Sequence, residues 1–354
     1  DGVYKIPLQD YDVALSLNDF PLDQFLPDDS LGNVTASVRL SGQDFSWQKA
    51  SAEVNAHLRE CWYRGHEYRD IVLEASLDKT RLRGSVTSKD PDALLDLIFQ
   101  ADSVGHEYVA DLSGRIGEID VQALHFMPEP FTFRSDVDIH VTMGARETYS
   151  LQLKLDSLQI SDTYRKYLLG NLGVEMESDW EKTIFGMQSG DLTAEFKTDT
   201  SLLGFVNNIS KVAAVIQEQI EARDVNMELV REDLPPFSLH LSSAQNNAVT
   251  RFLKSRDMGF RNMAVDIVSR KRSGLRVGVI ANAPYFGTVR LDSVQLGAWQ
   301  TGKSLMYSLS AGSSSEAWKG LFNINLTGRM QGDRFRVELK QKDAQGKLGF
   351  DLGI

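Results

Sequence analysis

The chain holds a single cysteine, Cys61, among 354 residues. No intrachain disulfide can form, which excludes a small disulfide-stapled scaffold. Nothing in Arg59-Glu60-Cys61-Trp62-Tyr63 supplies an activating base, so Cys61 reads as a small, half-buried thiol. No run approaches the ~18 apolar residues of a membrane span, and no charged n-region followed by an apolar h-region opens the sequence. Positive charge is in deficit: 38 Lys and Arg against 49 Asp and Glu give a net charge of −11. That balance argues against nucleic acid and against docking on anionic lipid head groups. The abrupt start at Asp1 and end at Ile354 lead us to expect a piece of a longer protein, with any anchor outside it.

Recognisable catalytic constellations are also lacking. Gly297-Ala298-Trp299-Gln300-Thr301-Gly302-Lys303-Ser304 spells a phosphate-binding loop letter by letter. Such a loop works by pointing backbone N–H groups and a helix N-terminus at phosphates. Here Leu305, Tyr307 and Leu309 continue in strand alternation, so the segment is expected to be a hairpin turn on Gly302-Lys303 that binds no nucleotide. His66-Glu67 and His106-Glu107 have no second His at helical spacing. Asp90, Asp92 and Asp96 lack the Gly and terminal Glu of a calcium loop and read as a solvated turn. Asp28-Asp29 and Glu232-Asp233 lie beside prolines and read as turn chemistry. Asn33, Asn208 and Asn325 head glycosylation sequons by letter only, and no G-x-S-x-G elbow occurs. The expectation is a protein without enzyme activity, metal or cofactor.

What is present is alternation. Hydrophobic residues are 42% and charged residues 25% of the chain, a globular balance. Val34, Ala36, Val38 and Leu40 make one period-two run; Ala52, Val54, Ala56 and Leu58 the next; Ile71, Leu73, Ala75 and Leu77 another. Val137, Ile139, Val141 and Met143, then Leu151, Leu153 and Leu155, continue it, as do Leu275, Val277 and Val279, and Phe335, Val337 and Leu339. Side chains alternate across a strand, so each run buries one face and wets the other, as antiparallel sheets do. Turn pairs such as Ser41-Gly42, Ser189-Gly190 and Gln345-Gly346 separate the runs at roughly 10–15-residue spacing, giving about 20 strands joined as hairpins.

Two stretches break the pattern. Leu202, Val206, Ile209, Ala213, Ile216 and Ile220 recur at helical spacing behind a Thr200 or Ser201 cap. A shorter helix is expected between Ser243 and Lys254, and both are assigned to capping one end of a sheet. Tyr68-Arg69-Asp70-Ile71 and Phe260-Arg261-Asn262-Met263 are weakly alike, each leading into alternating strands, which suggests repeated building blocks. The predicted organisation is a β-rich groove segment over 1–198, a helical insertion with connecting loop over 199–256 and a second β-rich segment over 257–354. The predicted fold is mainly β: an elongated, curled, groove-like antiparallel sheet with one or two short amphipathic helices.

An apolar face of this extent must either meet another in a dry sandwich or curl into a trough that admits a guest. Leu, Val, Ile and Ala dominate the faces and large aromatics look sparse, a lining suited to fatty acyl chains. The residues expected to line such a groove are Val54, Leu58, Ile71, Leu73, Val137, Ile139, Leu151 and Leu153.

Longer stretches carry a family resemblance. Leu17-Asn18-Asp19-Phe20-Pro21-Leu22-Asp23-Gln24-Phe25-Leu26-Pro27, followed by the run from Leu31-Gly32 to Leu40-Ser41-Gly42, resembles a signature of the AsmA/TamB superfamily. Tyr63 to Ile71 and Leu82 to Pro91 are similar to the mid-region of TamB-like translocation and assembly proteins of Bacteroidetes-type Gram-negative bacteria. The similarity spans about residues 15–120. It implies a periplasmic β-taco body, anchored to the inner membrane in the full-length protein, that passes phospholipids between inner and outer membranes. It also implies support for outer-membrane biogenesis, with outer-membrane assembly proteins as partners and no catalytic residues. The alternative from the residues alone is a structural β-sandwich or adhesin-like interaction module without lipid.

Overall fold

The computed structural model describes residues 2–5, 10–24, 31–44, 46, 49–128, 130–145, 148–162, 165–313, 322–343 and 347–353. Over the described residues the protein is mainly β, a curled antiparallel sheet that does not close, with three α-helices. Its contacts divide it into two compact units: 1–145 with 150–171, and 146–149 with 172–354. The three α-helices lie in the second unit, together with the strands that follow them.

The first unit is a hairpin meander. Its strands are β1 (Gly2–Lys5), β2 (Asp10–Pro21), β3 (Leu31–Gln43), β4 (Ser51–Tyr63), β5 (His66–Asp78), β6 (Arg81–Ser88), β7 (Ala93–Val104), β8 (Glu107–Asp120), β9 (Thr132–Gly144) and β10 (Thr148–Ser161). Each pairs antiparallel with the next along the chain. Register shifts at Leu17/Phe20, Thr35/Ala36, Leu94/Leu95 and Ile116/Ile119 mark bulges, which add local twist and bend a sheet.

β11 (Lys166–Ser178) leads into the second unit, which continues with β12 (Thr183–Ser189) and β13 (Leu192–Thr198). Helices α1 (Leu202–Ala222) and α2 (Met227–Asp233) precede β14 (Phe237–Ser243), and α3 (Ala248–Ser255) follows it. A separate three-stranded sheet is made by β15 (Met258–Gly259), β18 (Tyr285–Phe286) and β19 (Val289–Arg290). The main meander resumes with β16 (Asn262–Arg270), β17 (Gly274–Asn282), β20 (Ser293–Thr301), β21 (Ser304–Ser313), β22 (Phe322–Gln331), β23 (Arg334–Lys342) and β24 (Leu348–Gly353). Tyr68–Ile71 lies within β5 and Phe260–Met263 runs into the start of β16, and each strand pairs with the next as a hairpin, β5–β6 and β16–β17. The Gln345-Gly346 turn and the Asp28-Asp29 pair lie outside the described residues.

Helix α1 starts where its cap was expected: the Ser201 side chain accepts from the Gly204 N–H. Its packed stripe differs from the expected one. Val212 is buried, with Ile209 and Val215 against the same cluster, whereas Val206, Ala213, Ile216 and Ile220 face outward. The helix carries two apolar stripes, and spacing alone does not say which one meets the sheet. Asn247 caps α3 in a capping box with Thr250, both nearly inaccessible to solvent. Asp191 reinforces that corner, accepting from Asn247 Nδ2 at 2.6 Å and the Asn246 N–H at 2.8 Å.

Candidate functional site: an apolar sheet face

Residues paired across antiparallel strands point to the same side, so the registers give the composition of each face. In the first unit Leu15 pairs Val38, Val38 pairs Ala56, Ala56 pairs Leu73, and the row runs on through Val86, Leu97 and Gly114 to Val137. The row beside it runs Val13, Leu40, Val54, Ala75, Gly84, Phe99, Leu112, Ile139. A third takes in Ala36, Leu58 and Ile71. The Thr142 and Ser150 hydroxyls meet at 2.9 Å on the opposite face, which returns Leu151 and Leu153 to the apolar one. All eight expected residues therefore share one side of the sheet, and Val54, Leu58, Ile71, Leu73, Val137 and Ile139 are joined into apolar rows that cross the strands.

The other side is polar and carries cross-strand pairs: Arg39 with Asp12 at 3.1 Å, Arg81 with Asp102 at 2.9 Å, and Asp111 accepting from His140 Nδ1 at 2.6 Å and Gln100 at 2.9 Å. The His140 hydrogen bond, then that of Gln100, holds the Asp111 carboxyl below its ordinary range. A hollow of about 690 Å³ over β2–β5 is lined mainly by this polar side, with Ser37, Arg39, Asn55, His57 and Glu74 among its walls.

Burial separates a sealed interior from an open face. Of the eight residues, only Val137 is buried, at 7% exposure; Val54, Leu58, Ile71, Leu73, Ile139, Leu151 and Leu153 are half-buried. Leu15 and Val13, at the β2 end of the rows, are 49% and 41% exposed. The inner faces of a packed β-sandwich interdigitate and leave side chains nearly inaccessible. Among the described residues of this unit, no helix or second sheet covers the face.

The second unit repeats the pattern. One row runs Val174, Met187, Ala194, Leu241, Val265, Val279 and on through Leu296, Leu309, Leu326 and Leu339 to Leu352. Another contains Phe185, Phe196, Leu239, Ile267, Val277, Ala298, Tyr307, Gly328 and Val337. Aromatics are thus more frequent on the face than alternation suggested. Two of them pair with a glycine on the next strand. A Cβ on Gly84 would lie 2.5 Å from Phe99 Cζ, and one on Gly328 would lie 2.2 Å from Tyr307 Cζ. The rings lie over glycine, which keeps the surface low where a paired side chain would project.

At one end of these strands the face is covered. Val212, Met227, Val230 and Leu234 of α1, α2 and the residue after α2 form a buried cluster against Phe237, Leu275 and Leu305. Phe205 of α1 meets Phe196 edge-on at 4.8 Å and Phe237 at 5.5 Å. This agrees with the end-capping role assigned to the first helix. α3 sits at the opposite strand ends, its Ala248 N–H donating to Ser189 Oγ and Asn247 Nδ2 to Ser243 Oγ, each at 3.0 Å.

The phosphate-loop look-alike is the expected hairpin. Thr301 pairs Ser304, and Gly302 takes φ +58°, as a two-residue turn with glycine first requires. Its polar groups are engaged: the Lys303 carbonyl accepts from the Met227 N–H, Lys303 Nζ lies 3.8 Å from Glu228, and Ser304 Oγ donates to Gln331 at 2.7 Å. Cys61 is half-buried, and burial pushes its thiol pKa up, away from nucleophilic use. The acidic turn departs from expectation. Asp90 is not in a solvated turn but is 1% exposed, its carboxylate accepting from the Arg69 and Asp92 N–H groups at 2.8 and 2.9 Å.

The fold and face define a class: antiparallel meanders with one continuous apolar side. Comparison with protein-family models, curated proteins and solved structures gives no match to this chain. No helix among the described residues is long and apolar enough to cross a membrane.

Proposed function

We propose that this chain is a lipid-conducting segment of a TamB/AsmA-like envelope protein, working in the periplasm. In this reading its apolar rows carry phospholipid acyl chains between inner and outer membranes in support of outer-membrane biogenesis. One observation carries the proposal: rows dominated by Leu, Val, Ile and Ala, with Gly84, Phe99 and Gly114 among them, run from strand to strand, and most of their residues stay half-buried where a sandwich core would seal them. Keeping acyl carbons on such a surface and out of water is favourable by about 0.8 kcal/mol per CH₂. Because the contact is non-directional, a chain shifted by one carbon binds equally well, and sliding meets no specific hydrogen bond to break. Head groups would stay in water beyond the face, which suits a protein of net charge −11 that does not draw anionic lipid by bulk charge.

The test is native mass spectrometry of the purified chain together with uptake of fluorescent phospholipid from vesicles. Wild type is expected to carry and take up lipid. Leu73→Arg and Ile139→Arg are expected to lose uptake while keeping strand circular dichroism and a cooperative melt. Lipid-free wild type without uptake overturns the proposal. Unfolding of both variants favours instead a sealed structural or adhesin-like module.

A further inference from the structure

His66 and the Asp90–Asp92 turn, distant in the sequence, meet at one end of the first unit. His66 opens β5, while Asp90 and Asp92 lie in the turn between β6 and β7. A ligand atom of each, an imidazole nitrogen or a carboxylate oxygen, lies within 4.8 Å of the others.

The turn is built firmly. The two Asp90 oxygens accept the Arg69 and Asp92 N–H groups, and the Ala93 N–H donates to the Asp90 carbonyl at 3.1 Å. The His66 ring packs edge-on against Tyr68 with centroids 4.6 Å apart. His66 is 9% exposed, and its Nε2 is buried without a hydrogen-bond partner, 3.5 Å from Asp90 Oδ2. A buried imidazole nitrogen left unpaired is costly. The separation is long for a hydrogen bond, but it is what two ligands share on one ion. Bonds of ~2.1 Å in a tetrahedral arrangement put ligand atoms about 3.4 Å apart. Asp92 offers a second carboxylate and, being half-buried, an entry path from solvent.

We propose that His66, Asp90 and Asp92 bind one divalent transition cation of the zinc type, with water completing the coordination. One imidazole with two carboxylates suits zinc and its neighbours, whereas calcium takes six to eight oxygens. The ion would tie the start of β5 to the β6–β7 turn.

The experiment uses the whole chain after chelator treatment. Zn²⁺ is titrated against a chromophoric chelator, and Co²⁺ is followed by its visible absorption. One ion per chain is expected, with a rise in Tm on adding zinc. Asp92→Ala removes a ligand but keeps the backbone N–H that Asp90 uses; it is expected to weaken binding at least tenfold, as is His66→Gln. If His66→Gln does not fold, Asp92→Ala alone decides. Absence of stoichiometric binding, or an Asp92→Ala titration indistinguishable from wild type, overturns the proposal. The second outcome would place the metal on exposed histidine–aspartate pairs such as His57–Asp70.

Discussion

The two units use one device, apolar rows along an antiparallel meander, and treat its exposed area differently. In the first, Val54, Leu73 and Ile139 are half-buried, and the described residues of that unit include no α-helix. In the second, α1 and α2 press Val212, Met227 and Val230 onto Phe237, Leu275 and Leu305, making a core at one strand end. The difference teaches that apolar alternation specifies a face but not its cover. A cover needs a separate amphipathic element, and among the described residues the α-helices that supply one belong to the second unit.

That contrast can be attacked by mutation. Val230 is 2% exposed. Val230→Asp buries an unpaired charge and is expected to destabilise the second unit by about 4 kcal/mol or more; a urea-unfolding midpoint close to wild type would show that the helices are not a core. Gly328→Val drives a side chain into Tyr307 and is expected to cost about 2–3 kcal/mol, while Gly278→Val, with no side chain near its Cβ, should cost much less. Leu73→Ala, on the uncovered face, should cost only about 1–2 kcal/mol. A loss as large as that from Val230→Asp would mean that the first unit is sealed after all.

The α3 corner gives a pH test. Burial raises the Asp191 pKa, but hydrogen bonds from Asn247, Asn246 and Ala244 outweigh it, so the folded value is depressed. A depressed carboxylate contributes stability above its unfolded pKa of about 3.9, and that contribution is lost as pH falls through the folded value. Urea midpoints measured from pH 6 to pH 3 should fall more steeply for wild type than for Asp191→Asn. The smallest effect is expected from Lys303→Ala. Its ion pair with Glu228 is largely exposed and is worth under about 1 kcal/mol. Addition of ATP should leave the Tm of wild type and variant unchanged.

Much of this was legible in the residues. Period two placed Val54, Leu58, Ile71 and Leu73 on one side because a strand offers only two sides, and Gly302-Lys303 read as a turn because strand text flanked it. The α1 contact stripe did not follow from spacing: Ile209 and Ile216 fit the same helical repeat, yet only the first packs. The two-residue hairpin geometry that delivers Leu305 to the helices is local, but the meeting itself is not. Asp90 looked solvated because acidic turn residues usually are; its burial depends on His66, twenty-four positions earlier, and on the Arg69 N–H.

By itself the sequence determined the strands, their apolar side, the first helix with its Ser201 cap and the acidic surface, since each follows from the conformational preference or charge of residues close in the chain. Tertiary structure alone decided which rows joined, which helix stripe was covered, and that His66 meets Asp90 and Asp92. These depend on strand register and on contacts between distant segments, and local periodicity carries no information about either.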